Sequence, residues 1–279
     1  MKTTKALSAL GSALALSVAL PASALSATDT TAPTLRTPIK SSFLVGSQVS
    51  PDYDCSTTMS YLDLDETTKW SGSDDSGAVS YTVEQNFVGS EPYFLLEDSR
   101  LTSVQSQGST YDGNCGGSGF SPSGITVYAQ DPAGNTTDRF VAGGVVGVTQ
   151  DDGTTTTRYA RLAKLSFSPD WARSSCVCWS HSTTRKTTTA GAAATATLTV
   201  PPGEASHLGL VMAEGPGRGK FRVYVDGVRH ATVGTYAATS RPRVIVWQVA
   251  LRAGTHKVRI VNLATPGRPR IDLDAVLTN

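Results

Sequence analysis

The sequence predicts an all-β protein built of two separately composed units, and three observations carry that expectation. Short alternations of apolar and polar residues, separated by Gly, Pro, Ser, Asn and Asp, recur along the chain, while few segments keep a helical period. Thr is concentrated in runs such as TTTTR (154–158) and TTRKTTTAGAAATATLTV (183–200), where its β-branch favours extended backbone. Charge is divided as well. Residues 28–152 hold 5 Lys+Arg against 17 Asp+Glu, net −12, and residues 153–279 hold 17 against 6, net +11, although the whole chain carries only +1.

In chain order, residues 1–27 read as an export signal. Lys2 and Lys5 precede an apolar run from Ala6 to Leu20, and Pro21 precedes two small-residue ends at Ala24 and Ala27. A retained anchor is the alternative, but the serines, Pro21 and the small-residue end favour removal, and no later segment is apolar enough to span a bilayer. The expected location is therefore outside the cell, secreted or wall-associated. In that setting Cys55, Cys115, Cys176 and Cys178 read as disulfides. Of three possible pairings, Cys55–Cys115 with Cys176–Cys178 keeps each bridge inside one half. The first closes a loop of roughly 60 residues, worth about 4 kcal/mol in the chain-entropy model. The second needs a local bend, because residues two apart on a straight strand sit at the long limit for a bridge. Cys176, Cys178 and His181 offer three closely packed ligands with no fourth, so no metal site is expected there.

In the acidic half, WSGSDDSGAVSYTVEQ (70–85) reads as a strand end, a polar loop and a new strand in which Val79, Tyr81 and Val83 share a face. GITVYAQDPAGNTTDRF (124–140) places Ile125, Val127 and Ala129 on one face, then turns through DPAGN. With DTTAPT at 29–34, these stretches resemble bacterial Ig-like, fibronectin-like extracellular modules over about residues 30–141. The resemblance implies an Ig-like β-sandwich over 28–146. Cys55 and Cys115 lie outside the strands that carry the usual Ig bridge and so imply an extra staple. A linker is expected at 147–153, where Gly and Asp accumulate and the charge changes sign.

The basic half contains GPGRGKFRVYVDGVRHATV (215–233), whose glycines suggest a phosphate loop. A Walker-type loop needs Gly five residues before Gly219 and Ser or Thr after Lys220, but Glu214 and Phe221 stand there. A strand pattern, Phe221-Arg222-Val223-Tyr224-Val225, follows instead of a helix. Asp226-Gly227 signals a hairpin. A three-residue turn through Val228 pairs Val223 with Ala231 and Phe221 with Val233, keeping one face apolar and turning Arg222, Tyr224, His230 and Thr232 outward. VIVWQVAL (244–251) reads as a buried strand. THKVRIVNL (255–263) follows a turn at Ala253-Gly254, and IDLDAVL (271–277) closes the chain.

These stretches, with TYAATSRPRVIVW between them, resemble a galactose-binding-like jelly roll of the carbohydrate-binding-module type, over residues 154–279. The resemblance implies a non-catalytic, glycan-directed domain. Its expected partner is a polysaccharide or cell-wall glycan, neutral or anionic, rather than nucleic acid, and no cofactor is expected. Sugars are gripped by an aromatic face and a few polar groups. Trp171, Trp179 and Tyr236 are the candidate platforms near loop ends, and Arg218, Arg241 and Arg243 the candidate forked donors. Burial in the core is the competing role for each aromatic, above all for Trp247 and Trp171.

Asp272 and Asp274 share a face of the last strand. ARLAKLSF (160–167), the candidate first strand, has no acidic residue to complete a calcium site, so salt bridges to arginines are expected. DYD (52–54), LDLDE (62–66) and SDDSG (73–77) lack EF-hand spacing and read as solvated loops. No G-x-S-x-G elbow is present, and His181, His207, His230 and His256 have no triad context, so no enzyme is expected. Two other readings stay open: a surface protein that binds protein partners or brings its own halves together, and a hydrolase with a site between the halves.

Overall fold

The computed structural model describes residues 29–36, 40–55, 59–86, 91–110, 124–141, 147–150, 162–176, 178–179 and 183–278. Among them every regular element is a strand, as the all-β expectation requires. The expected export signal, the Cys55–Cys115 bridge and His181 lie outside the described residues.

The acidic half contributes β1 (Thr34–Leu35), β2 (Lys40–Phe43), β3 (Ser50–Cys55), β4 (Met59–Lys69), β5 (Gly72–Ser73), β6 (Ser80–Asn86), β7 (Tyr93–Ser99), β8 (Ser103–Thr110), β9 (Gly124–Gln130) and β10 (Thr136–Val141). One four-stranded antiparallel sheet runs β10-β9-β6-β7. In the other, β2, β3 and β8 all pair with the long β4, while β1 pairs with β5. The alternation read from the sequence sets the core: Tyr81, Val83, Ile125, Val127 and Ala129 point inward around Trp70. The Trp70 and Tyr81 rings meet edge-on, centroids 5.8 Å apart. Val104 of β8 packs on the same cluster and joins the two sheets.

The rest of the chain contributes β11 (Gly147–Gln150), from the end of the acidic half, and then, in the basic half, β12 (Leu162–Phe167), β13 (Ala172–Ser175), β14 (Thr183–Thr187), β15 (Ala193–Glu214), β16 (Lys220–Val225), β17 (Val228–Gly234), β18 (Arg241–Asn262) and β19 (Ile271–Thr278). All nine belong to one sheet, ordered β13-β14-β19-β15-β18-β16-β17, with β11 added to β19 and β12 to β15. Residues 147–150 of the expected 147–153 linker form β11. Its Gly and Asp composition reads as a connection, yet residues 147–150 pair with Gly147 opposite Thr278 and Gln150 opposite Ala275.

A correction concerns Ala253-Gly254, expected as turn residues. β18 runs through it unbroken, and Gly254, at φ 136°, bends the strand. Opposite it, β15 bends through Pro201-Pro202-Gly203, where the register shifts between Val200 and Ala205. The two long strands therefore fold over together. Their outer arms carry β12 and β16, while their other arms carry β19, and the single main core between them draws on both. Ala194, Ala196 and Leu198 come from one arm of β15, and Leu208, Leu210 and Met212 from the other.

The β16–β17 hairpin keeps the expected pairs, Phe221 with Val233 and Val223 with Ala231. The means differ from expectation. Asp226 and Gly227 form a two-residue turn with both φ positive, 50° and 83°, and an irregularity between Arg229 and Ala231 restores the apolar register. The Cys176–Cys178 bridge is closed, its Cα atoms 5.1 Å apart. The bend it needs is supplied beyond the end of β13, where the Trp179 amide donates to the Cys176 carbonyl.

The apolar run of β18 is continuous because both its faces are covered. Val244 and Val246 enter the main core, whereas Ile245 faces a second cluster with Val211, Ala275, Leu277, Phe43 and Val49. Phe43 and Val49 belong to the acidic half. Segment 43–49 thus lies as a strap across the back of the basic sheet. The Gly46 amide donates to the Ile245 carbonyl at 2.8 Å, Ile245 donates back to Ser47 at 3.0 Å, and Val49 donates to Arg243 at 2.7 Å. Gln48 and Gln248 add side-chain donations to the Pro242 and Phe43 carbonyls. Gly209 is required beneath the strap, since a Cβ there would sit 2.8 Å from the Phe43 ring.

Candidate functional site

Three loops of the basic half meet at one edge: 215–219, 235–240 and 263–270. Gly219 is the knot. Its amide donates to the Arg270 carbonyl, its carbonyl accepts from the Thr235 amide and hydroxyl, and a side chain there would strike the Arg268 carbonyl. The Lys220 amide donates to the Thr265 hydroxyl at 2.9 Å, and Asn262 donates its Nδ2 to the Pro269 carbonyl, also at 2.9 Å. The glycine-rich motif is therefore a docking point for the neighbouring loop and then leads into β16.

Electrostatics come from one buried carboxylate. Asp272 is fully buried in β19 and accepts from Arg218 Nε at 2.9 Å and from Arg270 Nε at 2.9 and 3.0 Å, with a further close contact from Arg270 Nη2. This is the salt-bridge role expected of it. Two guanidinium groups share one carboxylate, so the cluster keeps a positive balance. Arg241 pairs with Glu214 at 2.9 Å and also donates to the Gly46 carbonyl of the strap. Arg268 lays its guanidinium over the Tyr236 ring, 4.4 Å from the centroid. Tyr236 is 56% exposed. The arrangement offers an aromatic ring backed by a cation, with Arg218 and Arg270 in the loops that hold it and Lys220 at the start of β16.

Of the sequence-derived candidates, Arg218, Tyr236 and Arg241 belong to these loops or their borders. The other three do not join them. Trp171 is buried in the main core with its ring 5.3 Å from Phe167, and Trp179 is buried beside the Cys176–Cys178 turn. Their loop-end positions suggested accessible rings, but apolar burial of these large surfaces withdraws them as stacking platforms. Arg243 is also buried, at φ 54°, with its carbonyl held by the strap and its Nε and Nη1 without hydrogen-bond partners among the described residues. Arg268 and Arg270 were missed by sequence reasoning. Their motif, TPGRPR, reads only as a loop; Arg268 meets Tyr236 of another loop, and Arg270 pairs with Asp272 of β19.

Two further groupings were not legible. His256 Nδ1 lies 2.7 Å from Asp226 Oδ2, and its Nε2 lies 2.9 Å from the Arg252 carbonyl. The hydrogen bond to Asp226 raises the imidazole pKa above its ordinary value. Both ring nitrogens are engaged, so this pair staples the hairpin turn to the β18 bend and presents no free base. In the acidic half, Asp29, Asp74 and Asp131 bring carboxylate oxygens within 4.8 Å of one another, close enough for a cation. Asn135 ties this corner directly, its amide and Nδ2 donating to Asp131 at 2.8 Å and its Nδ2 to the Asp29 carbonyl at 3.0 Å. The three motifs behind the Ig-like resemblance thus meet at one point.

No protein-family model and no curated protein matches the chain. Among solved structures, a CBM35 from Cellvibrio japonicus is 15% identical, with 48% of this chain and 92% of that chain covered at a TM-score of 0.34. A family 35 carbohydrate binding module from Clostridium thermocellum is 13% identical over 47% of this chain and 96% of its own, also at 0.34. An exo-beta-1,3-galactanase from Phanerochaete chrysosporium is 12% identical and spans 83% of this chain and 67% of that chain, at 0.30.

Proposed function

We propose that the protein is an exported, non-catalytic carbohydrate-binding protein. In this reading residues 154–279 act as a galactose-binding-like jelly roll that engages extracellular or cell-wall polysaccharide, and the acidic half acts as an Ig-like module that carries it. The observation that supports this most is the exposed Tyr236 ring backed by Arg268. A ring face of this kind stacks on the C–H surface of a sugar, while neighbouring guanidinium groups donate to hydroxyl or carboxylate oxygens. Five basic residues, Arg218, Lys220, Arg241, Arg268 and Arg270, stand against Glu214 and Asp272 in this cluster, which favours glycans bearing acidic groups.

The test is retention of the full mature chain on a panel of insoluble neutral and acidic glycans and wall preparations, in low and high salt. Tyr236→Ala is expected to weaken retention by about tenfold or more, as loss of one stacking platform costs roughly 1–2 kcal/mol. Retention by none of the panel, or equal retention of the variant, would overturn the assignment of this surface.

A further inference from the structure

We propose that the protein assembles head to tail with copies of itself, the open edge β7 of one acidic half pairing with the open edge β17 of the next copy's basic half. Among the described residues β7 pairs only with β6, and β17 only with β16. An edge strand presents a row of unpaired backbone N–H and C=O groups, and protein edges are usually guarded by Lys, Pro or a cover. β7 opens instead with four apolar residues, Tyr93-Phe94-Leu95-Leu96. Tyr93 is 64% and Phe94 48% exposed, and Leu101 just beyond the strand is 60% exposed. β17 begins with Val228, 69% exposed, the most exposed of the large apolar side chains described.

Charge selects the occupant. Exposed Glu91, Glu97 and Asp98 flank or belong to β7, against Arg100 alone. On β17, Arg229 and His230 are exposed, and Arg222 of β16 and Lys257 and Arg259 of β18 are exposed on the adjoining strands. Pairing β7 with β7 brings acidic groups together, and pairing β17 with β17 brings basic groups together. Pairing β7 with β17 matches opposite signs and covers exposed apolar side chains on both edges. The division of the chain into −12 and +11 halves gives the same sense of approach at longer range. Because two different patches meet, the contact is heterologous, and each added copy leaves one fresh edge of each kind.

Sedimentation of the full mature chain from micromolar to millimolar concentration, without glycan, tests the idea independently of the carbohydrate-binding reading. The expected result is a weight-average mass that climbs without a plateau at the dimer and falls as salt is raised. Glu97→Lys and Arg229→Glu, both at exposed positions, are each expected to weaken association by about tenfold. An equimolar mixture of the two variants should recover it, since the basic β7 of one then meets the acidic β17 of the other. Unchanged thermal unfolding of each variant verifies that its fold is intact. A monomer at every concentration, a plateau at the dimer, or a mixture no better than its components would each overturn the proposal.

Discussion

The acidic and basic halves are both antiparallel, yet they close their interiors differently. Among the described residues the acidic core is a cluster of six buried apolar side chains, Trp70 included, whereas the main basic core holds twenty. The folded-over sheet of the basic half has an apolar back as well as an apolar inside. It covers the inside with its own second arm and the back with Phe43 and Val49, taken from the acidic half. The boundary marked by charge is therefore not the boundary marked by packing. A segment of the acidic half is a structural part of the basic one.

The sharpest way to break this comparison is Phe43→Ala. Loss of a buried aromatic costs about 3–5 kcal/mol. Although Phe43 belongs to the acidic half, the substitution should lower the denaturant midpoint of the basic half, read by a probe on Trp247. A shift confined to the acidic half would show that the strap does not support the sheet. Asp272→Asn is next. Removing the charge shared by Arg218 and Arg270 is expected to cost about 3 kcal/mol, the low end for a buried pair because both arginines are partly exposed. This loss should fall on the basic half alone.

Asn135→Ala tests the other side. It removes donors to buried Asp131 and to the Asp29 carbonyl, and is expected to cost about 1–2 kcal/mol. Thermal unfolding should show that loss in the acidic half, with the basic half unmoved. The smallest effect is a pH dependence. The hydrogen bond between His256 and Asp226 raises the imidazole pKa and lowers that of the carboxylate. The histidine's contribution is fully present below about pH 6.5 and is lost as pH rises through the raised folded value. The aspartate's is present above about pH 4 and is lost as pH falls through its lowered one. Stability against pH should therefore be slightly flatter in His256→Gln on the alkaline side, measured by melting temperature from weakly acid to weakly alkaline buffer.

How far this contrast could be read in the sequence depends on the range of each interaction. Tyr81 and Val83, or Ile125, Val127 and Ala129, reveal their inward face by simple alternation, because strand geometry turns every second residue the same way. The Phe221–Val233 pairing was legible for the same reason, although the small irregularity that achieves it was not. The strap escaped because Phe43 and Ile245 are joined by hydrogen bonding between segments some 200 residues apart. Its apolar residues look like an ordinary strand of the half that contains them. The bend in β18 reads as a turn in the sequence, since Gly marks both. Arg268 gave no local signal at all. Only the fold lays its guanidinium on Tyr236, whereas the two tryptophans that looked prominent in the sequence are drawn inside by their own apolar area.

The paired bends in β15 and β18 have a consequence for how the basic half comes apart. Both layers of that sandwich are cut from the same two ribbons of chain, so neither layer can peel away while the other stays whole. Amide exchange at residues 193–200 and 205–214 should then follow a single common opening, and tension applied at the termini should meet one hinged sheet that yields all at once.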